Sequence, residues 1–490
     1  MHLTHSETAL KRKSADIAIV PFWIEGTQIK IACDASEFAP LAMVPIKAKD
    51  FSAKSEELAF LYRSSGKEKR VLLVGLGKKK DLTVETLRRC YATAVRLCRK
   101  KKWGCVNFFF PDGSDEISYV TCAIEGSLLA NYAYDMLKKE TLKNDPTFLL
   151  KEIHCVGIDK KTFSECKKHA LLIESVQFAR DLINGNADDV TPELLASHAK
   201  EMAGSSLKVK VLHEKELEKE KMGLLLAVNK GSNKKPALIV LEYRGDPDSK
   251  DITAVVGKGI TYDTGGLNLK ISGSMETMKC DMSGSAVVLG VLQAAKNLSL
   301  KRNIIGVIAS AENAIGPDSC KPGDVYVSHG GRSVEINDTD AEGRLVLADA
   351  LSYLQTHYKP SRIIDLATLT GGIVVALGEA ASGMFCNDDK MALQLTEAGD
   401  RTFERVWRMP LYPEYKEALK SSIADMKNSG GRKGSPCTAA AFLHEFIHKG
   451  TAWAHLDIAG TAFLSETKVY HPTAATGCGV RLLIDYIEAL

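Results

Sequence analysis

The sequence lacks an apolar run approaching the roughly 18 residues that a membrane-spanning helix requires, which excludes a helical membrane protein. A secretion leader is not expected either. Lys11, Arg12 and Lys13 precede the apolar stretch Ile17–Ile24, but that stretch is short, contains Pro21 and has no small-residue cleavage site, so it reads as a first strand. No two of the 12 cysteines have the Cys-x-x-Cys spacing, and they are scattered from Cys33 to Cys478. In a chain of this length that pattern implies reduced, mostly buried thiols in the cytoplasm rather than a disulfide framework. The turn Gly75-Leu76-Gly77 lacks the third glycine of a dinucleotide-binding fingerprint and carries little weight. Internal repeats and low-complexity tracts are absent. So is an excess of one charge sign, since the formal net charge is +3.

What the sequence has is ordinary globular composition, 45% hydrophobic and 26% charged over 490 residues, enough for about two to four domains. The small net charge hides a split. Residues 1–170 hold 29 Lys and Arg against 21 Asp and Glu, a balance of +8, whereas residues 171–490 hold 35 against 40, a balance of −5. Halves of different character favour separate domains.

Residues 1–170 alternate short apolar runs with helical patterns. Val71–Gly77 reads as a strand, Leu82–Leu97 as a helix, and Val106–Phe110 as a strand stopped by Pro111. The alternation predicts a smaller N-terminal α/β domain. Residues 171–200 read as a linker: a helix over Leu171–Ile183, the turn-rich Asn184–Asp189, then a helix capped by Thr191 with Pro192 in its first turn. Residues 201–490 carry continuous apolar or β-branched runs at 237–241, 253–256, 303–308, 362–366 and 453–457. They predict a larger C-terminal α/β/α domain around a central mixed, largely parallel sheet.

Three polar clusters follow predicted strands. Lys258, Asp263 and Lys270 lie among glycines just past one buried strand. Asp281 precedes the apolar helix Ala286–Ala295, and Asn337–Arg344 opens the helix Leu345–Leu354. Ligands of open α/β sheets bind at the carboxyl ends of strands, so these positions are expected to converge. Converged, Asp263, Asp281, Asp340 and Glu342 would repel one another and could not all ionise unaided. Two cations roughly 3.5–4 Å apart, bridged by shared carboxylates, resolve that conflict. An oxygen-rich ligand set suits Mg, Mn or carboxylate-bound Zn. Beside two dications Lys258 would have a depressed pKa and could serve as a neutral ligand, while Lys270 and Arg344 could offer positive charge to an anion or oxyanion. The competing reading is structural: Asp281 and Asp340 as helix caps, the lysines as solvated surface charge. Residue chemistry alone reaches a metal-dependent enzyme.

Asp338-Thr339-Asp340-Ala341-Glu342-Gly343-Arg344-Leu345 resembles the signature octapeptide of the leucyl (cytosol) aminopeptidases, which are dimetal exopeptidases. The family's signature begins with Asn, so Asp338 departs from it. Gly257–Gly266 with Lys270, then Met278–Asp281, Ala367–Gly372 and Trp453–Gly460 are similar to further family segments in the same order, and Ala179–Asn184 resembles the entry to the catalytic domain. The likeness covers about residues 175–490. The first 170 residues match only in position and α/β character, as expected of the family's variable N-terminal domain, with an oligomer-forming or regulatory role.

The resemblance implies one metal bound by Asp263, Asp340 and Glu342 and a second bound by Lys258, Asp263, Asp281 and Glu342, as Mn or Zn, with Mg compatible. It implies Lys270 and Arg344 as catalytic residues, the latter holding a bicarbonate ion as proton carrier. A metal-bridging hydroxide would attack the scissile carbonyl. Met278, Thr368, Leu369 and Gly371 would line the pocket for an N-terminal Leu or other apolar side chain. Peptide substrates, a cytoplasmic location, no membrane and a homohexameric assembly complete the expectation. Two rivals use the same residues differently. A dimetal phosphoesterase would grip phosphate with Lys270 and Arg344. DNA binding would use the basic N-terminal domain through Lys67, Lys69, Arg70, Lys78–Lys80, Arg88, Arg89 and Arg99–Lys102 with Trp103, although a charge run without a binding motif reads first as a solubilising surface.

Overall fold

The apolar runs form strands in the computed structural model, which describes residues 1–113, 116–471 and 474–490. Two compact units emerge: Met1–Glu174 with Glu466–Thr473, and Ser175–Ser465 with Ala474–Leu490. The helix Lys160–Asn184 runs through the division. No helix among the described residues is long and apolar enough to cross a membrane.

The first unit is built on β1 (His2–Ser6), β2 (Ile17–Glu25), β3 (Gln28–Ile31), β4 (Leu58–Tyr62), β5 (Arg70–Lys78), β6 (Cys105–Phe109) and β7 (Glu152–Val156), in the order β1-β7-β6-β2-β5-β4 with β3 on β2. Only the pairings of β3 and β4 are antiparallel. Pro21 survives in the interior strand β2 for a local reason. Pairing with β6 ends at Ile19 and pairing with β3 begins at Phe22, so the missing N–H falls in the gap between two partners. The segment Glu466–Thr473 belongs to this unit, where the Tyr470 hydroxyl donates to Glu85 at 2.8 Å. Nothing in the periodicity of the sequence signals that return.

The second unit centres on β8 (Leu207–Leu212), β9 (Ala237–Arg244), β10 (Ile252–Asp263) and β11 (Asn303–Asn313), with the short β12 (Val325–Val327) and β13 (Ser333–Glu335) set aside in a small separate sheet. It continues through β14 (Arg362–Ala367), β15 (Ser382–Cys386), β16 (Val406–Arg408), β17 (Met426–Lys427) and β18 (Ala452–Asp457). The main sheet runs β16-β15-β18-β14-β10-β11-β9-β8. Its middle, β18-β14-β10-β11, is parallel, and antiparallel pairs flank it. Parallel strands need cover on both faces, and β10 has it. Val256 joins the core containing Leu345, Leu347 and Leu351 of the helix Gly343–Tyr358. Gly257, one residue on and therefore on the opposite face, meets Gly284 of the helix Ser283–Leu298, where an added Cβ would stand 2.4 Å from the Gly284 carbonyl oxygen. That close approach seats the segment before the second helix, with Asp281, against the end of β10.

Candidate active site

Lys258 and Asp263 lie on β10, the strand that places both at the carboxyl end of the parallel core. Beyond it, Gly265 and Gly266 have φ of 85° and 64°, a left-handed turn that returns the chain so that Lys270 faces Asp263. Asp281 sits in the single 3₁₀ turn Met278–Met282. Asp340 and Glu342 immediately precede the helix Gly343–Tyr358. Neither adjoining helix has a side-chain cap hydrogen bond, so Asp281 and Asp340 are not acting as caps. Gly343 is needed for space: a Cβ there would come 2.5 Å from Lys258 Cε.

These residues converge. Lys258 Nζ lies 2.7 Å from Asp281 Oδ2 and 2.7 Å from Glu342 Oε1, and donates to the Thr368 carbonyl at 3.0 Å. Lys270 Nζ lies 2.8 Å from Asp263 Oδ2 and 2.6 Å from Asp340 Oδ1. Oxygens of Asp263, Asp340 and Glu342 all fall within 4.8 Å of one another. Burial drives Asp281 well above the usual carboxylate range, and burial with the neighbouring Glu342 raises Asp263. Burial and then Asp263 push Asp340 up to about 6. Burial likewise opposes ionisation of Glu342, but Lys258 and Lys270 outweigh it and the pKa falls. Burial also works against the ammonium of Lys258, yet Asp281, Glu342 and Asp263 outweigh it and hold the lysine charged.

Divalent cations fit this donor set. Four carboxylates face two ammonium groups, so positive charge is short. Asp281 Oδ2 and Glu342 Oε1 are buried and make no properly directed hydrogen bond, even though Lys258 is close to both. Lone pairs left over inside a buried cluster are what a metal would occupy.

A cleft of about 490 Å³ opens over the cluster. Lys258, Asp263, Lys270, Asp281, Asp340 and Glu342 form its polar floor. Met278, Thr368, Leu369 and Gly371 line it too, together with Val374 and Phe463, which the sequence did not single out. Arg344 does not line this cleft. Its guanidinium is buried, donates from Nη1 to the Asn428 carbonyl at 2.9 Å, and leaves Nε without a hydrogen-bond partner.

The model of the cytosol aminopeptidase family catalytic domain matches residues 177–484, and that of the family's N-terminal domain matches residues 25–141. The chain belongs to the cytosol aminopeptidase family. A probable cytosol aminopeptidase of Protochlamydia amoebophila is 47% identical over 98% of this chain and 97% of its own. One from Chlamydia caviae is 46% identical over 100% and 99%. Among solved structures, a mutant of tomato leucine aminopeptidase superposes with a TM-score of 0.88 at 30% identity, covering 100% of this chain and 96% of its own. The bottromycin maturation enzyme BotP in complex with Mn gives 0.85 at 30%, covering 97% and 99%. Membership makes the activity class that of an aminopeptidase.

Several supporting contacts were not expected from the sequence, including one made by Thr368, which was expected only as a pocket-lining residue. Asn313, at the end of β11 and in register with Asp263, donates to Asp263 Oδ1 at 2.8 Å and to the Thr339 carbonyl at 3.0 Å. Thr368 donates to Asp281 Oδ1 at 2.7 Å. Asp457 accepts from Leu369 N and from the Thr370 hydroxyl, which fixes the turn that supplies the pocket wall. Asn428 donates to the carbonyls of Asp338 and Ala341 and so pins the loop that carries Asp340. Asn313 and Asn428 lie outside the motif segments, and only the parallel register of β11 with β10 places Asn313 beside Asp263, whereas Thr368 and Asp457 lie within the segments Ala367–Gly372 and Trp453–Gly460. The departure at Asp338 has a simple consequence: its Oδ1 accepts from Asp340 N at 3.0 Å, a bond that an Asn carbonyl would make equally well.

Several basic residues of the first unit are engaged within it. Arg88 pairs with Glu125, Arg89 with Glu56, Lys79 with Glu25 and Lys102 with Asp145. Lys67 donates to the carbonyls of Leu10 and Arg12, and Arg99 to those of Ala130, Tyr132 and Phe148.

Proposed function

We propose that the protein is a metal-dependent aminopeptidase that releases N-terminal residues, preferentially Leu or another apolar one, from peptides in the cytoplasm. The observation that carries this reading is the convergence of five potential ligands and Lys270 on the floor of a cleft whose walls include Met278, Leu369, Val374 and Phe463. Asp263, Asp340 and Glu342 would hold one divalent ion, Mn or Zn, and Lys258, Asp263, Asp281 and Glu342 a second. When bound, such ions polarise a carbonyl and lower the pKa of water to near neutrality.

The chain's own residues do the rest. Lys270 stays charged because Asp263 outweighs the effect of burial, so its ammonium is available to a developing oxyanion. Met278, Leu369, Val374 and Phe463 would receive an apolar side chain, and each buried methylene discriminates by about 1–3 kcal/mol. Thr368, Leu369 and Gly371 come from the turn held by Asp457, which keeps that wall rigid. No histidine among the described residues lines the cleft, so a proton carrier is needed. A bicarbonate ion at Arg344 would fill that role once its guanidinium turns from the Asn428 carbonyl toward the cleft. A homohexamer is the assembly we adopt for the chain, with residues 201–490 as its catalytic domain.

Hydrolysis of Leu-, Met- and acetyl-Leu-anilides with and without Mn²⁺ tests the function. Leu and Met substrates should be cleaved only with metal, and the acetylated one not at all, because acylation removes the amine as a ligand. Cleavage of acetyl-Leu-anilide would overturn the exopeptidase reading.

A further inference from the structure

Away from the cleft, a second cluster has metal-ligand chemistry. Glu220, His329 and His357 present one ligand atom each, all within 4.8 Å of one another. His357 Nε2 lies 3.3 Å from Glu220 Oε2, and His329 Nε2 lies 3.8 Å from the same oxygen. Three ligands about 2.0–2.2 Å from a tetrahedral ion stand roughly 3.3 Å apart, so the spacing matches with small side-chain movement.

The cluster is held from behind along one face of the helix Gly343–Tyr358. Asp349, fully buried, accepts from His329 N at 2.8 Å and from Leu224 N and Leu225 N at 3.0 and 2.9 Å. It thereby fixes the backbones that bring both His329 and the segment after Glu220 to the helix. Ser352, three residues on, makes a 2.8 Å hydrogen bond with His329 Nδ1. Tyr353 packs its ring 4.2 Å from that of His357. Positions 349, 352, 353 and 357 fall on one helical stripe. With Nδ1 engaged by a hydroxyl, Nε2 of His329 is the nitrogen left to coordinate, which is how metal-binding histidines are oriented.

Charge favours a cation here as well. His357 lies in the last turn of the helix, whose carbonyl end is partially negative. Lys210, the ammonium on this face, is tied to the Tyr353 hydroxyl at 3.0 Å. Mixed imidazole and carboxylate donors suit Zn²⁺ and its transition-metal neighbours rather than Mg²⁺ or Ca²⁺.

We propose that Glu220, His329 and His357 form a third, zinc-class metal site, separate from the active cleft. The ion would clip three segments together: the turn after the helix Glu214–Lys219, the loop at His329 and the end of the helix Gly343–Tyr358. Its remaining coordination positions would face solvent.

Zinc content tests this directly. Wild-type protein and the double variant His329→Gln, His357→Gln are stripped with chelator, re-equilibrated with Zn²⁺, dialysed and analysed for metal. The variant should hold one equivalent per chain fewer, whatever the cleft binds. Equal zinc content would overturn the site. Histidine carbethoxylation mapped by mass spectrometry on the wild type removes any dependence on the variant's folding. Zn²⁺ but not Mg²⁺ should protect His357, while His198, which lies 3.2 Å from Glu201 and packs against Phe178 away from this cluster, stays labelled. Unchanged labelling of His357 with Zn²⁺ would refute the proposal equally.

Discussion

Replacing Asn313 with Ala removes a residue that no motif contains yet that holds the floor of the cleft. Two hydrogen bonds disappear, at 2.8 Å to Asp263 Oδ1 and 3.0 Å to the Thr339 carbonyl. The first is to an ionisable group and contributes about 1.5–3 kcal/mol, and the second about 0.5–1.5 kcal/mol. Both acceptors are buried, so water does not replace the lost donor without rearrangement. Asp263 keeps its bond from Gly265 N at 2.9 Å, which limits the damage. A loss of about 3 kcal/mol in unfolding free energy is expected, measured by urea denaturation of chelator-treated protein. Because Asp263 would also lose orientation, the Mn²⁺ concentration that half-restores activity should rise about 10–100-fold. Asn313→Asp separates charge from geometry. Its added carboxylate sits against Asp263, so the chelated protein should be less stable than Asn313→Ala, and Mn²⁺ should narrow the difference. Wild-type stability and wild-type Mn²⁺ dependence in Asn313→Ala would refute the idea that β11 orients the ligands on β10.

Glu342→Gln keeps shape but removes a charge shared by both proposed ion sites, and turnover of Leu-anilide should fall at least about a hundredfold even at saturating Mn²⁺. Thr368→Val deletes the 2.7 Å bond to Asp281 and should weaken Mn²⁺ activation about tenfold while kcat recovers at high metal. Chelation should lower the thermal midpoint as well as abolish activity, since an ion at a hundred times its Kd stabilises by about 2.7 kcal/mol. In the first unit, burial, then Lys13, lower His154 from 6.5 to about 4. The unfolded chain therefore binds the proton first, stability is full above about pH 6.5 and falls as pH drops toward 4, by about 3 kcal/mol at most. Hydrogen exchange of β7 amides should accelerate across that window, and His154→Gln should flatten the change.

Much was legible from residue order alone. The continuous apolar runs at 253–256, 303–308, 362–366 and 453–457 became the four parallel strands of the central core, because a strand buried on both faces tolerates little else. Thr191 caps its helix by accepting from Leu194 N, a local bond that needs only neighbouring residues. The polar clusters after those strands were recognisable for the same reason: strand ends are where an α/β sheet exposes side chains to ligand.

What only the tertiary structure decided is pairing between distant segments. Asn313 finds Asp263 across 50 positions through parallel register, and Asp349 draws together His329 and Leu224 from two other segments. The sequence offered Arg344 as a candidate catalytic residue, but only the fold shows that its guanidinium donates to the Asn428 carbonyl and does not line the cleft. Folding likewise decides which basic residues of the first 170 find partners, such as Arg88 with Glu125 and Arg89 with Glu56, although the +8 balance of that segment is unchanged by such pairs. Periodicity and chemistry fix which residues are buried and which could react. Which of them meet depends on loop closures and strand neighbours, whose energies are set by the whole fold and are carried by no single stretch of sequence.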